Sequence, residues 1–76
     1  MTDTGTSGVT ATHAACRDTT LRQLEAHFRT LSAEAADRET RYRRDPRRQG
    51  NADVNQRDAA FWARAAVAVR KAREGR

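Results

Sequence analysis

Six arginines crowd residues 38–48 of this 76-residue chain, where only Glu39 and Asp45 carry negative charge. Guanidinium groups bind phosphate oxygens well, and a dense basic cluster is where a nucleic-acid backbone would bind. Within the cluster, three arginines have no acidic residue at a favourable helical spacing. These candidate contacts to DNA or RNA are Arg44, Arg47 and Arg48.

The same cluster also fits a solvated helix face. Its other arginines follow an acidic residue by four positions, the order that stabilises a helix by roughly 0.2–0.5 kcal/mol per pair. The three pairs are Glu34 with Arg38, Asp37 with Arg41, and Glu39 with Arg43. Because charge runs are most often solvated, we rank helix stabilisation ahead of nucleic-acid binding.

Other residues that could do chemistry are few. His13 and Cys16 have the spacing of metal ligands, but a structural zinc site needs four ligands and His27 is the one remaining candidate. Asp18, Glu25 and His27 could supply an acid and a base, yet a two-helix protein offers no pocket to desolvate them. The sequence has no glycine-rich phosphate loop, nucleophile elbow or HExxH motif. It therefore predicts no catalytic residue, no metal site and no cofactor.

Two amphipathic helices must position these residues, and the first covers about 19–45. Its apolar stripe steps alternately by three and four residues through Leu21, Leu24, Phe28, Leu31 and Ala35, then Arg38 and Tyr42. Such spacing is typical of a packed helix face, with the tightest packing expected between Leu24 and Leu31. Asp18 or Thr19 can cap its start, and Asp45 before Pro46 ends it.

The densest apolar run, residues 59–69, belongs to a second helix predicted over about 53–74. Arg64 interrupts this run, which falls short of the roughly 20 apolar residues that a membrane span requires. Gly50 permits chain reversal in the preceding loop, about 46–52, and Asn51, Asp53 and Asn55 compete as caps. The predicted stripe consists of Val54, Phe61, Ala65, Ala68 and Ala72, widened by Trp62, Ala66 and Val69.

Two long helices joined by a short loop predict an all-α, antiparallel two-helix hairpin over residues 18–76. In this hairpin Phe61 and Trp62 lie opposite Leu31 and Ala35. Residues 1–17 are rich in Thr, Gly, Ser and Ala, a composition that predicts a disordered tail. Because so short a chain buries a small share of its surface, we expect self-association or a partner to complete the fold.

Phe61 and Trp62 are the strongest indication of binding. Neighbours on a helix point about 100° apart, so one seam cannot hide both rings, and we expect one of them to face a partner. The predicted protein interface comprises Leu24, Phe28, Leu31, Phe61 and Trp62. The leading interpretation is a non-enzymatic interaction protein that pairs with itself as a dimer or with a larger protein. The alternative is a nucleic-acid-binding accessory protein that uses the arginine cluster.

Composition indicates the kind of source organism and the cellular compartment of the protein. The net charge is +5, but Lys71 is the sole lysine among 15 basic residues, which is typical of a high-GC bacterium or one of its mobile elements and weakens the inference of a polyanionic partner. Residues 1–16 have neither the basic nor the apolar region of a secretory signal. A single cysteine, Cys16, fits a reducing compartment. We therefore predict a cytoplasmic protein that does not act at a membrane.

Overall fold

A computed structural model describes the backbone of residues 2–75 and the side chains of residues 16–75. Helix α1 spans Thr2–Arg43, a single 3₁₀ turn spans Pro46–Arg48, and helix α2 spans Gln49–Arg73. The described chain is therefore all-helical, which confirms the predicted fold class.

Side-chain hydrogen bonds between the helices show that they run antiparallel. Residue numbers fall along α2 as they rise along α1 in the three pairs Glu25 with Arg73, Ser32 with Ala59, and Arg38 with Asn55. The principal extents are 69 × 18 × 11 Å. An α-helix with its side chains is about 10–12 Å across, so the hairpin is one layer of helices.

Helix α1 begins upstream of the predicted start. The sequence predicts a helix from about residue 19, capped by Asp18 or Thr19, whereas the helical backbone runs from Thr2. Asp18 lies inside α1, where its Oδ2 accepts a hydrogen bond from Arg22 Nε at 2.7 Å. The predicted disorder of residues 1–17 falls largely on residues 1–15, whose side chains lie outside the described part, and it stays a prediction.

The connection between the helices is shorter than predicted. Helix α1 ends at Arg43 and α2 begins at Gln49, so the predicted loop over 46–52 is largely helical. Asp45 is extended, with φ −104° and ψ 113°, as the residue before a proline prefers. Its Oδ1 accepts a hydrogen bond from the backbone N–H of Arg47 at 2.9 Å and thereby caps the 3₁₀ turn.

Gly50 and the predicted caps lie inside α2. Among the described residues Gly75 alone has a positive φ, 74°, so the prediction that Gly50 makes the reversal is wrong. Asn51, Asp53 and Asn55 are also helical, and Asn55 Nδ2 donates to the Asn51 carbonyl at 2.8 Å. Asp45 and Pro46 reverse the chain before these residues are reached.

Gln49 fixes the turn from the α2 side. Its Nε2 donates to the Arg43 carbonyl at 3.0 Å and to the Asp45 carbonyl at 2.8 Å. The Arg43 carbonyl lies at the C-terminus of α1, where carbonyls have no partner within their own helix, so the amide supplies its hydrogen bond. The Asp45 carbonyl also accepts a hydrogen bond from the backbone N–H of Arg48 at 3.0 Å. Gln49 therefore ties the end of α1 to the start of α2.

The packed side of α1 is shifted from the predicted stripe. We call the side chains that lie between the helices the seam, which in α1 is centred on Leu21, Glu25, Phe28, Ser32, Ala35, Glu39 and Tyr42. The predicted stripe members Leu31 and Arg38 lie at its edge and are half-buried as well. Leu24 is 38% exposed, whereas Glu25 is 5% exposed. Placing Leu24 in the stripe is therefore wrong, because Glu25 has an ion-pair partner across the seam that offsets the cost of burying its charge.

The seam of α2 is also shifted. It consists of Ala52, Asn55, Ala59, Trp62, Ala66, Val69 and Arg73. Val54 and Phe61, predicted at the centre of the stripe, are each 54% exposed. Trp62 takes the central position instead, because its ring stacks against α1.

The core consists of small residues. The buried apolar residues are Ala35, Ala52 and Ala66, and no large side chain within residues 16–75 is completely buried. Ala35 and Ala52 lie in the half of the hairpin nearer the turn, whereas Glu25 and Ala66 are buried in the stretch around Leu24 to Leu31, so the prediction that packing is tightest in that stretch stays a prediction. Alanine brings the helix backbones close together but removes little apolar surface from water.

Candidate functional site

Three aromatic rings meet at the middle of the hairpin. Phe28 and Trp62 stack across the seam, with ring centroids 5.3 Å apart and an interplanar angle of 28°. Phe61 packs edge-on against Trp62 at 4.9 Å and 81°. Trp62 therefore faces Phe28, not Leu31 and Ala35 as predicted, and Phe61 is the ring that remains in solvent.

Of the four large apolar side chains that are exposed in the described part, Leu24, Val54 and Phe61 lie on one side of the hairpin, and Val67 lies on the other. Val54 is nearer the turn, separated from the other two by polar residues. In an antiparallel pair of right-handed helices, residues that immediately precede seam positions lie on the same side in both helices. Leu24, Leu31 and Phe61 precede Glu25, Ser32 and Trp62, and the alanines before Ala66, Val69 and Arg73 share their side. We call this patch the Leu–Phe face, and its members are Leu24, Leu31, Phe61, Ala65, Ala68 and Ala72.

Polar residues surround the Leu–Phe face. Towards the turn the same side carries Glu34, Arg38 and Asp58, and His27 lies at the α1 edge, its ring centroid 6.1 Å from that of Phe28. A contiguous exposed apolar patch with a polar rim is typical of a protein-binding site. Within the patch Phe61 is 54% exposed, the most accessible of the large side chains.

The opposite side of the hairpin has a different character. Residues that follow seam positions line a shallow groove between the helices, which we call the alanine groove. It is lined by Arg29, Ser32, Ala33, Ala36, Ala63, Ala66 and Val67. Val67, 40% exposed, is the largest apolar side chain there. It and Phe61 are exposed on opposite sides of α2.

The structure divides the predicted interface between two locations. Phe28 and Trp62 contact each other within the seam, and Leu31 is half-buried beside them. Leu24 and Phe61 are exposed. The residues available to a partner are therefore Leu24 and Phe61, with the exposed edge of Leu31.

A buried carboxylate, Glu25, joins the two helices at the open end of the hairpin, a role that the sequence does not predict. Glu25 Oε1 accepts a hydrogen bond from Arg73 Nη2 at 3.1 Å, and Glu25 Oε2 lies 2.5 Å from Arg29 Nη2. Arg73 Nε is buried without a hydrogen-bond partner. The i,i+4 spacing of Glu25 and Arg29 is enough to predict their ion pair. Nothing in the sequence gives the register that places Arg73 beside Glu25.

The predicted acid–arginine pairs of α1 are wrong. Arg38 Nε donates to Asn55 Oδ1 at 2.8 Å, and Arg43 Nη1 donates to Asp53 Oδ1 at 3.0 Å. Both arginines contact α2, because Arg38 lies at the edge of the seam opposite Asn55 and Arg43 lies at the end of α1 opposite Asp53. Among the described side chains none of the predicted partners, Glu34, Asp37 and Glu39, forms an ion pair.

The candidate phosphate contacts lie on the turn. Arg44, Arg47 and Arg48 are all exposed. Arg48 Nε lies 3.5 Å from Asp45 Oδ2, and its guanidinium lies 5.8 Å from the centre of the Tyr42 ring. Arg44 and Arg47 form no ion pair with any described side chain.

The residues weighed for acid–base and metal chemistry are dispersed. Asp18 pairs with Arg22, Glu25 is held by two arginines, and His27 is exposed. Cys16 is exposed with a free thiol, and the His13 side chain lies outside the described part. Within the side chains described, no three histidines, cysteines or carboxylates gather as a metal site would need.

Comparison of the chain with models of protein families, with curated proteins and with solved structures finds no match. In the described part of the chain, neither helix has a stretch both long and apolar enough to cross a lipid bilayer.

Proposed function

We propose that this chain is a small, basic, non-enzymatic interaction protein that binds a protein partner, a second copy of itself or a larger protein, through the Leu–Phe face. The observation that carries the proposal is the position of Phe61. Its ring is held against Trp62 at 4.9 Å, yet 54% of the residue is exposed. A rigidly held aromatic loses little conformational freedom on binding, which is why such residues dominate interface energies.

The thin core supports the same proposal. The hairpin buries three alanines and no large apolar side chain completely within its described part. Leu24, Leu31 and Phe61 therefore keep apolar surface that a partner could remove from water at about 25 cal/mol per Å². We place the protein in the cytoplasm, because a single free cysteine suits a reducing compartment.

Affinity capture from a lysate of the host, with and without nuclease treatment, tests the proposal. Phe61→Ala removes the exposed ring and retains helix propensity, because alanine is the best helix former. We expect the wild-type chain to retain a defined protein and Phe61→Ala to lose it. Val67→Ala is the matched control, because Val67 is an exposed apolar residue on the opposite side of α2, and this variant should retain the protein.

The proposal is contradicted if capture is the same for all three chains. It is equally contradicted if the captured material disappears on nuclease treatment, because nucleic acid would then be the ligand.

The turn supports a second function, the binding of a nucleic-acid backbone. Arg44 and Arg47 are exposed and have no ion-pair partner among the described side chains, so they could pair with phosphates without breaking a contact within the hairpin. Arg48 would first have to leave Asp45, which it approaches at 3.5 Å. An exposed pair of this kind is worth at most about 1 kcal/mol, so that cost is small.

Salt dependence tests this second function. Each phosphate contact releases counterions, so affinity for duplex DNA should fall with a slope of about 0.9 per contact in a log–log plot against salt. Replacing Arg44, Arg47 and Arg48 with Gln should abolish binding or flatten the slope by up to three contacts.

The matched control replaces three exposed arginines of α2, Arg57, Arg64 and Arg70, with Gln and changes the net charge equally. This variant should keep the wild-type slope. Equal losses in both triple variants would mean that the charge acts diffusely, and the assignment of the turn as the site would be wrong. No salt-dependent binding of DNA or RNA by the wild-type chain would exclude the second function.

A further inference from the structure

We infer that the partner of the Leu–Phe face is a second copy of this chain, and that two hairpins pair through this face as a four-helix dimer. The inference rests on the proposed function, because it names the occupant of the same surface.

The hairpin has one layer of helices where a stable domain has two. Stable domains pack two layers of secondary structure around a shared core, and this hairpin is a single layer with a thinnest dimension of 11 Å. Its seam buries only small apolar side chains within the described part. A second hairpin laid on the Leu–Phe face would supply the missing layer in the arrangement of a four-helix bundle.

The area of one side of the hairpin matches the area that a protein dimer buries. Helix α2 has 25 residues and is therefore about 37 Å long, so with a width of 18 Å one side of the hairpin covers on the order of 700 Å². A standard protein interface buries about 800 Å² on each partner. One whole side of the hairpin, the Leu–Phe face together with its polar rim, is therefore about as large as a stable dimer requires.

The Leu–Phe face carries both large and small side chains, which allows it to pack against a copy of itself. A dimer with two-fold symmetry brings the same patch of both copies together, so the patch must fit itself. The Leu–Phe face carries the bulky Leu24, Leu31 and Phe61 beside the small Ala65, Ala68 and Ala72. Bulky side chains of one copy can therefore enter the spaces above the alanines of the other. The alanine groove offers no such mixture, because Val67 is its one larger apolar residue.

Sedimentation equilibrium of the full chain, from about 1 to about 100 μM, tests the inference. The variants are Leu24→Ala on α1 and Phe61→Ala on α2, with Val67→Ala as the control. We expect dimers for the wild type and the control. Leu24→Ala and Phe61→Ala should each weaken the dimer by about tenfold or more, because each loses apolar area from the contact.

Circular dichroism of each sample separates a lost contact from a lost fold. If Phe61→Ala loses helix content only on dilution, together with its dimer, the inference stands, because pairing then supports folding. Equal weakening by Val67→Ala would overturn it. A wild-type chain that is helical and monomeric up to 100 μM would also overturn it. In that case Phe61-dependent capture of another protein would leave the proposed function intact, whereas absence of capture would remove both.

Discussion

Glu25 shows how a single residue sets the register of the whole hairpin. A carboxylate that is 5% exposed must have its charge compensated, and the two arginines that do so lie on different helices. Arg29 is on the same helix one turn later, whereas Arg73 is at the end of α2. The pairing with Arg73 can form only when the two helices are aligned as observed.

We predict that Glu25→Gln lowers the free energy of unfolding by about 1.5–3 kcal/mol, the range for a hydrogen bond to a charged group. The substitution preserves shape but leaves Arg73 without its counter-charge. Urea unfolding at one fixed protein concentration measures the change.

Asp18→Asn is the control for this prediction. Asp18 pairs with Arg22 on the exposed surface of α1, so its loss should cost less than about 1 kcal/mol. If the two substitutions had equal effects, Glu25 would be an ordinary surface charge and its role in register would be refuted.

The helical elements could be read from the sequence, but their relative rotation could not. Repeating steps of three and four residues identify α1 and α2, and Pro46 marks the break between them. The same steps leave neighbouring positions almost equivalent, so the sequence predicts Leu24 in the stripe where the structure buries Glu25, and it puts both Phe61 and Trp62 in the second stripe without showing which is inside. Ion pairing of Glu25 and stacking of Trp62 on Phe28 decide the rotation, and both depend on contacts between residues distant in sequence.

The candidate site could be predicted only in part for the same reason. Adjacent Phe61 and Trp62 indicated that one ring faces outward, but the sequence did not show which. Similarly, the pairs expected along α1 for Arg38 and Arg43 gave way to contacts with Asn55 and Asp53 on α2. The charge pairs of a helix, like its apolar face, therefore depend on where the partner helix lies.

Gln49 joins the elements, and its substitution tests the turn. Gln49→Glu keeps the shape of the side chain but removes both hydrogens that it donates to the carbonyls of Arg43 and Asp45. A carboxylate would also repel these carbonyl oxygens. It would strengthen the contact of Arg43 Nη1 with the Oε1 atom at 3.2 Å, but an exposed ion pair is worth at most about 1 kcal/mol. We expect the free energy of unfolding to fall by about 1–3 kcal/mol in urea unfolding.

Gln56→Glu makes the same chemical change at an exposed position of α2. Surface substitutions of this kind usually change stability by less than about 0.5 kcal/mol. A Gln49→Glu variant as stable as Gln56→Glu would show that the turn does not depend on the Gln49 amide.

The whole molecule is a single layer of helices, so the Leu–Phe face stays in water unless another chain packs on it. The described part of the hairpin encloses no large side chain, and the Leu–Phe face holds three of them at its surface. Folding and association should therefore be coupled, because the apolar area that stabilises the fold is buried only when two layers meet.

The concentration dependence of unfolding tests this coupling most directly. The measurement is the urea midpoint, followed by circular dichroism, over about two orders of magnitude in protein concentration. The midpoint should rise with concentration for the wild type and for Val67→Ala, and the rise should be shifted to higher concentrations for Phe61→Ala. A wild-type midpoint that is the same at every concentration, with full helix content at the lowest, would contradict the account.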